Sequence, residues 1–377
     1  MMLLHRVFWS RCNCNVRRSF PSFSSSAVCL DVDVTELVGV DLEVRAIGTQ
    51  EEALLLPSYS CHHLNVGYED NKITVRPRKE TNVDKIAILV PRRLADVRFC
   101  ASGNVNLSGK LEVSKNVYVN SRDDSIFTDI LRGSALNLLA KKRIESSNLL
   151  EGQHVDLQAK DICLNGKLHA TNCFATTEHD FFLKSAYCSR LSLDVGQSTI
   201  QTLHGILQAH THGHMEITSL TGSAHIEAES ITISFDSTIE NSKLRAQSNV
   251  YLRTSAEDFI NFYLQAPHLN SPTELIIDQQ APITNTDQFI RGRLFSQDKP
   301  ETKPTTGAGK INAAAKRAQR WGISLPIKNE IQEHFAHIEV FSLHGTITLA
   351  SPLSWVDRIR HNFGVEPLCQ QQDERNS

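Results

Sequence analysis

The feature that most constrains this chain is a long run of short alternating strands, separated by Gly, Asn, Ser and Asp turns, from Ile88 to about Phe259. Within this run one phrase recurs: glycine, any residue, apolar, polar, apolar. The phrase begins at Gly109, Gly166, Gly205 and Gly222. Because successive side chains of a strand point to opposite sides, this alternation predicts strands with one buried face and one solvated face.

The spacing of the phrase indicates a repeat. The first two intervals between the four glycines are close to three and two units of about 19 residues, and the last is slightly shorter than one unit. A second phrase agrees, since Leu136-Asn-Leu138 and Val155-Asp-Leu157 are offset by one such unit. Many short strands fit a sandwich, a barrel or a solenoid. A repeat this short favours the β-solenoid, because each coil must stack on its neighbours to bury its apolar face, and about nine coils fit.

We predict an all-β protein: a β-solenoid (β-helix-like) column of short stacked strands with a β-rich N-terminal cap. A cap is expected because the ends of a solenoid expose unpaired strand edges. Weaker alternation and a Pro-, Gly- and Thr-rich stretch follow the column, and alternation then returns. The predicted organisation is a transit peptide (1–29), a β-rich capping region (30–87), the solenoid (88–266), a linker or exposed loop (267–325), returning strands with a C-terminal cap (326–362) and a disordered tail (363–377).

The N-terminal segment, 1–29, differs in composition from the rest of the chain. It contains a Ser-rich stretch and no acidic residue, together with the arginines Arg6, Arg11, Arg17 and Arg18. This composition is typical of a mitochondrial transit peptide, and a disordered basic tail is the alternative. A secretory signal is disfavoured because arginines interrupt each candidate apolar core. We therefore predict a mitochondrial protein, with the matrix as the expected compartment.

Composition limits the other classes. The chain has 377 residues, a net charge of −3 and a pI of about 6.6, which gives no electrostatic reason to expect nucleic-acid binding. No apolar run approaches the roughly 18 residues that a membrane-spanning helix needs. The nine cysteines include no Cys-x-x-Cys pair, which predicts reduced thiols rather than a disulfide framework. We interpret the basic groups Arg76-Pro-Arg-Lys79 and Arg92-Arg93 as solvated surface.

One candidate metal site stands out. His210, His212 and His214 alternate, so in an extended strand the three imidazoles would lie on one face. Neutral imidazole binds Zn²⁺ and Cu²⁺ well, and three such ligands could form an open site. Solvated surface histidines are the alternative, because Gly213 favours a turn and the phrase contains no carboxylate or cysteine.

A second candidate is a row of polar residues at one position of the repeat. Each follows a phrase glycine at the same offset, and together they are predicted to form one outward row: Glu112, His169, Gln208 and His225. Inside the column, Cys163, Cys173 and Cys188 are interpreted as small buried apolar residues. Because side chains alternate, Cys163 is expected to face away from the side of Ile162 and Leu164.

Carboxylates could give a β-helix a polysaccharide-directed activity, by Ca²⁺-assisted elimination or by paired-acid hydrolysis. Adjacent acids in a strand point to opposite faces, so Asp123-Asp124 is a poor pair. The other acidic group of the column comprises Glu227, Glu229, Asp236 and Glu240. Aromatic content is 7%, and the chain has no nucleophile-elbow, phosphate-loop or zincin motif, so we expect no enzyme.

The start of the column carries a family resemblance. Ile88-Leu-Val-Pro91, followed by Ser102-Gly-Asn-Val105, resembles the opening of the putative-adhesin domains of unknown function, over residues 64–262. With the Arg-rich start and the polar tail, the layout resembles that of the animal "family with sequence similarity 185" proteins. The resemblance implies a β-helical column and implies no catalytic residue.

These observations predict a non-enzymatic mitochondrial β-solenoid that offers an extended surface to a protein partner, without a cofactor or a transmembrane segment. A long stacked column provides a large and rigid surface of the kind that repeat proteins use for binding. Two alternatives remain open at this point: a glycan-binding or glycan-processing β-helix, and a metal protein built on the histidines.

Overall fold

The computed structural model describes residues 29–47, 64–69, 72–78, 83–239, 241–254, 260–266, 268–270, 275–279, 289–296 and 336–350. Within these ranges the regular elements are strands, and none is a helix. This part of the chain accordingly has no helix of the length and apolarity that crossing a membrane requires. The stacked parallel strands form a β-solenoid of about 8 turns, which confirms the predicted fold class. The chain divides into two compact units, Met1–Ile233 and Ser234–Ser377, which we describe separately.

The first unit begins with short strands and continues with long ones. The short strands are β1 (Cys29–Asp33), β2 (Asp41–Ile47), β3 (Leu64–Glu69), β4 (Lys72–Pro77), β5 (Lys85–Pro91), β6 (Arg93–Leu94), β7 (Asp96–Ala101), β8 (Val105–Val113), β9 (Asn116–Ser121), β10 (Ile126–Arg132) and β11 (Ala135–Ala140). The long strands are β12 (Arg143–Ala159), β13 (Asp161–Thr177), β14 (Asp180–Val195), β15 (Gln197–Thr211) and β16 (His214–Ala228).

From β12 to β15 the pairing of each turn with the next is interrupted twice, which divides the turn into three segments. For example, β13 pairs with β14 over residues 162–164, 167–170 and 172–176. Equivalent segments pair in parallel from turn to turn, and we name the resulting layers the first, second and third stacks in the order the chain meets them. Apolar side chains alternate toward the interior of the turn, as the sequence predicts, at Ile162, Leu164, Leu168, Cys173 and Ala175.

The turns become shorter along the column. In the third stack, Val97 pairs with Val117 near the start of the column, whereas Leu207 pairs with Ala224 further along. The later pair is closer in the sequence than the earlier one, so the later turn contains fewer residues. This drift explains why the repeat is imperfect in the sequence. The solenoid has about 8 turns, close to the roughly nine that the sequence predicts.

The first two strands are inserted between strands that come later in the chain. In the third stack β1 lies between β4 and β7, and in the first stack β2 lies between β5 and β8. β3 pairs with β4 in an antiparallel hairpin. The third stack therefore ends on this hairpin. β3 pairs with the edge of β4 that would otherwise be open.

A buried carboxylate joins the inserted strand to its neighbours. Asp31 of β1 is 5% exposed, and its Oδ2 lies 3.0 Å from Nη2 of Arg76 and 3.1 Å from Nζ of Lys72 in β4. Burial alone would raise the pKa of Asp31, but the hydrogen bonds from Arg76 and Lys72 outweigh it, so the pKa is lowered. On the other side of β1, Nη1 of Arg98 in β7 lies 3.7 Å from Oδ1 of Asp31. Arg76, interpreted from the sequence as solvated surface, therefore pairs with a buried acid.

The second unit inserts strands in a similar way. Its strands are β18 (Ser242–Ala246), β19 (Val250–Thr254), β20 (Ile260–Gln265), β21 (His268–Asn270), β22 (Leu275–Gln279), β23 (Phe289–Ser296), β24 (Ala336–Ser342) and β25 (Thr346–Ala350), and β17 (Ser230–Ile239) contains the boundary between the units. β24 lies between β18 and β20, and β25 lies between β19 and β21. β23 pairs antiparallel with both β20 and β22.

The described ranges cover the predicted organisation unevenly. β24 and β25 lie within the segment 326–362 that the sequence predicts to return to the fold. β21, β22 and β23 lie within 267–325, where the sequence predicts a linker or loop; apolar residues such as Leu275, Ile276 and Ile277 supply the strand propensity there. The transit-peptide prediction (apart from Cys29) and the tail prediction (363–377) lie outside the described residues.

Candidate functional site

The outward residues of the second stack form one continuous row along the first unit. In order, the row contains Arg93, Glu112, Arg132, Glu151, His169, Tyr187, His204 and Thr221. In-register parallel pairing places neighbouring members of such a row about 4.8 Å apart along the column. The first half of the row is therefore a ladder of alternating charge, and the second half contains a ladder of rings.

The charged half is neutralised internally. Glu112 Oε2 lies 3.2 Å from Arg93 Nε, and Glu151 Oε2 lies 2.9 Å from Arg132 Nε. A hydrogen bond from Lys110, only partly opposed by burial and supported by Arg93, lowers the pKa of Glu112 to about 2. Glu112 thus stays ionised at neutral pH, and the charges in this half of the row are paired with one another.

The ring half presents a stacked surface. The rings of Tyr187 and His204 are nearly parallel, with an interplanar angle of 10° and centroids 4.6 Å apart. His169 packs against the other side of Tyr187, edge to face, with centroids 5.4 Å apart. Tyr187 is nevertheless 51% exposed. A tyrosine fixed between two rings offers apolar area and a hydroxyl at little cost in side-chain entropy.

Neighbouring turns expose further apolar surface on the third stack. Phe174 of β13 is 50% exposed and Ile206 of β15 is 39% exposed. On the turn between them, Arg190 donates hydrogen bonds to Gln208 from Nε (3.2 Å) and Nη2 (2.7 Å). Together with Tyr187 of β14, these residues give each of three consecutive turns, β13 to β15, one exposed large side chain. Most of the described apolar residues are buried.

The outward row predicted from the phrase glycines is wrong as a single row. Glu112 and His169 belong to the second stack, whereas Gln208 and His225 are neighbours in the third stack. The reason is that the phrase occurs at two corners of the turn. Gly109 and Gly166 precede second-stack segments, and Gly205 and Gly222 precede third-stack segments.

The predicted histidine site is rearranged in the structure. His210 and His212 approach each other, with ring centroids 5.0 Å apart, and His210 Nδ1 lies 3.4 Å from Asp194 Oδ1. His214 does not join them, because its Nδ1 lies 2.8 Å from Ser230 Oγ. Asp194, His210 and His212 are exposed, and one potential ligand atom from each lies within 4.8 Å of the others. Sequence reasoning missed Asp194, which pairs with His210 from the preceding turn.

Two of the acids that could serve a glycan-processing site, Asp123 and Asp124, are ion-paired in the structure. Asp123 Oδ1 lies 3.3 Å from Lys141 Nζ, and Asp124 Oδ2 lies 3.1 Å from Lys142 Nζ on the next turn. The two carboxylates are thus each paired with their own lysine. The side chains of Asp236 and Glu240 lie outside the described residues.

The cysteines differ in their burial. Burial raises the pKa of Cys188 to about 11 and that of Cys173 well above the ordinary value, so both thiols are protonated and behave as small apolar residues. Cys163 is half-buried and lies between the buried Ile162 and Leu164, on the opposite face of the strand. The structure confirms the predicted burial of Cys173 and Cys188. For Cys163 it confirms the predicted facing, opposite to Ile162 and Leu164, but not the predicted burial.

Taken together, the fold defines a β-solenoid protein. No protein-family model matches the chain, and no curated protein matches it. A solved structure to which it is similar is a putative adhesin from Bacteroides fragilis NCTC 9343, at 14% sequence identity and a TM-score of 0.21. The similarity covers 60% of this chain and 91% of that one. The fold assignment therefore rests on the strand pairing itself.

Proposed function

We propose that the chain is a non-enzymatic β-solenoid that binds a protein partner through the second-stack row around Tyr187. The observation that carries this proposal is the half-exposed Tyr187 ring, fixed between His169 and His204 on three successive turns. Tyrosine is enriched among the residues that dominate binding energy at protein interfaces. Charged residues are depleted at the centre of such interfaces, as in the ring half of this row.

The rigidity of the column supports the same proposal. His169, Tyr187 and His204 are each anchored in a strand that pairs on both sides, so the surface needs little reorganisation on binding. The paired charges from Arg93 to Glu151 provide a polar border next to the rings, where a partner can keep its own charged groups hydrated. The exposed Phe174 and Ile206 extend the apolar area onto the third stack of the same turns.

Photo-cross-linking tests the location of this surface. Benzoylphenylalanine replaces Tyr187 in one variant and Phe182 in another; Phe182 lies outward in the first stack of the same strand. In a mitochondrial extract, we expect one adduct of defined mass from position 187 and none from position 182. Excess wild-type chain should compete with the adduct. Excess Tyr187→Ser chain should compete at least about tenfold less well, because a central interface tyrosine is lost.

Equal adducts from positions 187 and 182 would show that the cross-links report non-specific adhesion. Equal competition by wild-type and Tyr187→Ser chains would move the interface away from the ring row. Either result contradicts the proposal. Circular dichroism of both variants serves as the folding control, since Tyr187 and Phe182 point away from the interior.

The mitochondrial location is part of the proposal and rests on the sequence of residues 1–29. Arginines without acidic residues suit import, because the membrane potential acts on positive charge. The resemblance to the "family with sequence similarity 185" proteins likewise remains a prediction from the layout of the chain.

Import into isolated mitochondria tests this location. We expect the full chain to become protease-protected and shortened at its N terminus, in a reaction that requires the membrane potential. A variant with glutamine at Arg6, Arg11, Arg17 and Arg18 should lose most of this import. A matched variant with glutamine at Arg92, Arg93, Arg122 and Arg132 should import normally, because those arginines lie in the column. Equal import of both variants would refute the transit-peptide assignment.

A further inference from the structure

Two consecutive turns of the first unit bring two histidines and one aspartate together. Asp194 of β14 lies directly opposite His210 of β15 in the parallel register of the third stack. His212 is the first residue after β15 and is separated from His210 by the buried Thr211. One ligand therefore comes from the neighbouring turn and the other two from the same stretch of chain, which places three donors around one point on the surface.

The distances are within reach of metal coordination. The donor atoms lie within 4.8 Å of one another, and ligands of a tetrahedral ion with bonds of about 2.0–2.1 Å lie roughly 3.3 Å apart. His210 and Asp194 already approach to 3.4 Å, with side-chain exposures of 57% and 65%. Exposed side chains change rotamer at small cost, so His212 can close the remaining gap without movement of the strands.

We propose that Asp194, His210 and His212 bind one divalent transition-metal ion of the Zn²⁺, Ni²⁺ or Cu²⁺ type. Two imidazoles and one carboxylate match the ligand preferences of these ions, whereas Mg²⁺ and Ca²⁺ prefer a shell of oxygens. Three protein ligands leave at least one coordination position open to water or to a group from another molecule. The site differs from the one predicted from sequence, because Asp194 takes the place of His214.

The position of the ligands predicts a stabilising effect of the metal. Asp194 and His210 belong to successive turns, so a bound ion links β14 to β15. The unfolded chain lacks this arrangement, and an ion that binds only the folded state raises its stability by mass action.

Calorimetric titration of the full chain with Zn²⁺ and with Co²⁺ tests the proposal, by comparing the metal affinity of the wild type with that of each variant. Wild type and His214→Ala should bind equally, because His214 contacts Ser230 instead of the cluster. His210→Ala and Asp194→Asn should each lose at least about tenfold in affinity, since even partners outside the ligand set cost about 10–100-fold. Zn²⁺ should raise the thermal midpoint of wild type and His214→Ala and leave that of His210→Ala unchanged.

Three results would overturn the proposal. Indistinguishable titrations of wild type and His210→Ala would place any metal elsewhere in the chain. An equal loss in His214→Ala would favour the site predicted from sequence alone. Ultraviolet thiolate-to-metal charge-transfer bands in the Co²⁺ complex would assign the binding to cysteines. Because the three side chains are exposed, circular dichroism should show all variants folded, so a change in affinity reports on the ligands.

Discussion

Replacement of Gly205 by alanine is expected to destabilise the first unit by about 3–5 kcal/mol. Gly205 has a φ of +134°, in a region that residues with a side chain rarely adopt. A β-carbon at this position would overlap the carbonyl oxygen of Cys188 on the preceding turn. That oxygen belongs to the backbone of a paired strand and cannot rotate away, so strain and overlap add together. Urea unfolding followed by far-ultraviolet circular dichroism measures the loss.

Gly39 is the matched control for this prediction. It also has a positive φ, +72°, but a β-carbon there would meet no atom within 4 Å. Gly39→Ala should therefore lower the free energy of unfolding only by the cost of a positive φ for alanine, about 1–2 kcal/mol. Long repeat arrays can unfold in steps, so the m-value of each variant must be compared with that of wild type. If both variants lose the same stability, the close approach of successive turns at Gly205 is not a major constraint.

The fold could be predicted because its main signal is local. Alternation of apolar and polar residues sets which face of each segment is buried, as at Ile162, Cys163 and Leu164, and it needs no knowledge of distant contacts. The requirement that short coils stack follows from the same pattern, because one coil cannot bury its apolar side chains alone. Fold class was therefore within reach of sequence reasoning.

The order of the strands could not be predicted from the sequence, because it depends on pairing between residues that are far apart in the chain. Cys29 of β1 pairs with Lys72 on one side and with Asp96 on the other, and both partners lie beyond β2 and β3 in the sequence. Parallel edges of similar composition compete for an inserted strand, and alternation alone does not distinguish them. The charges around the buried Asp31 favour one solution, but they meet only once the strands are paired.

The candidate metal cluster shows the same limit. Alternation correctly places His210 and His212 close together, but β15 ends at Thr211 and His214 begins β16, so the turn at Gly213 directs His214 elsewhere. A constant repeat of about 19 residues would place Leu191 opposite His210. Because the turn here is shorter than that average, Asp194 lies there instead. The position of a cross-turn ligand therefore depends on the exact length of one turn, which the averaged repeat does not supply.

Replacement of Phe181 by alanine is the second change for which we expect a large loss, about 3–5 kcal/mol. Phe181 is 1% exposed and is among the largest fully buried side chains of the described residues. It points into the column from the first stack, between Ile162 on the preceding turn and Ser198 on the next. Since the backbone around it is fixed by parallel pairing on both sides, the interior cannot collapse onto the cavity.

Phe182 provides the comparison within the same strand, because it is the next residue and points outward. Phe182→Ala removes the same number of atoms from a half-buried position and should cost about 1 kcal/mol or less. Urea unfolding measures the loss in free energy of unfolding for each variant. Both variants change strand propensity equally, so the difference between the two losses gives the contribution of burying Phe181. If Phe182→Ala cost as much as Phe181→Ala, the two side chains would be equally buried. The assignment of Phe182 to the outer surface of the first stack would then be wrong.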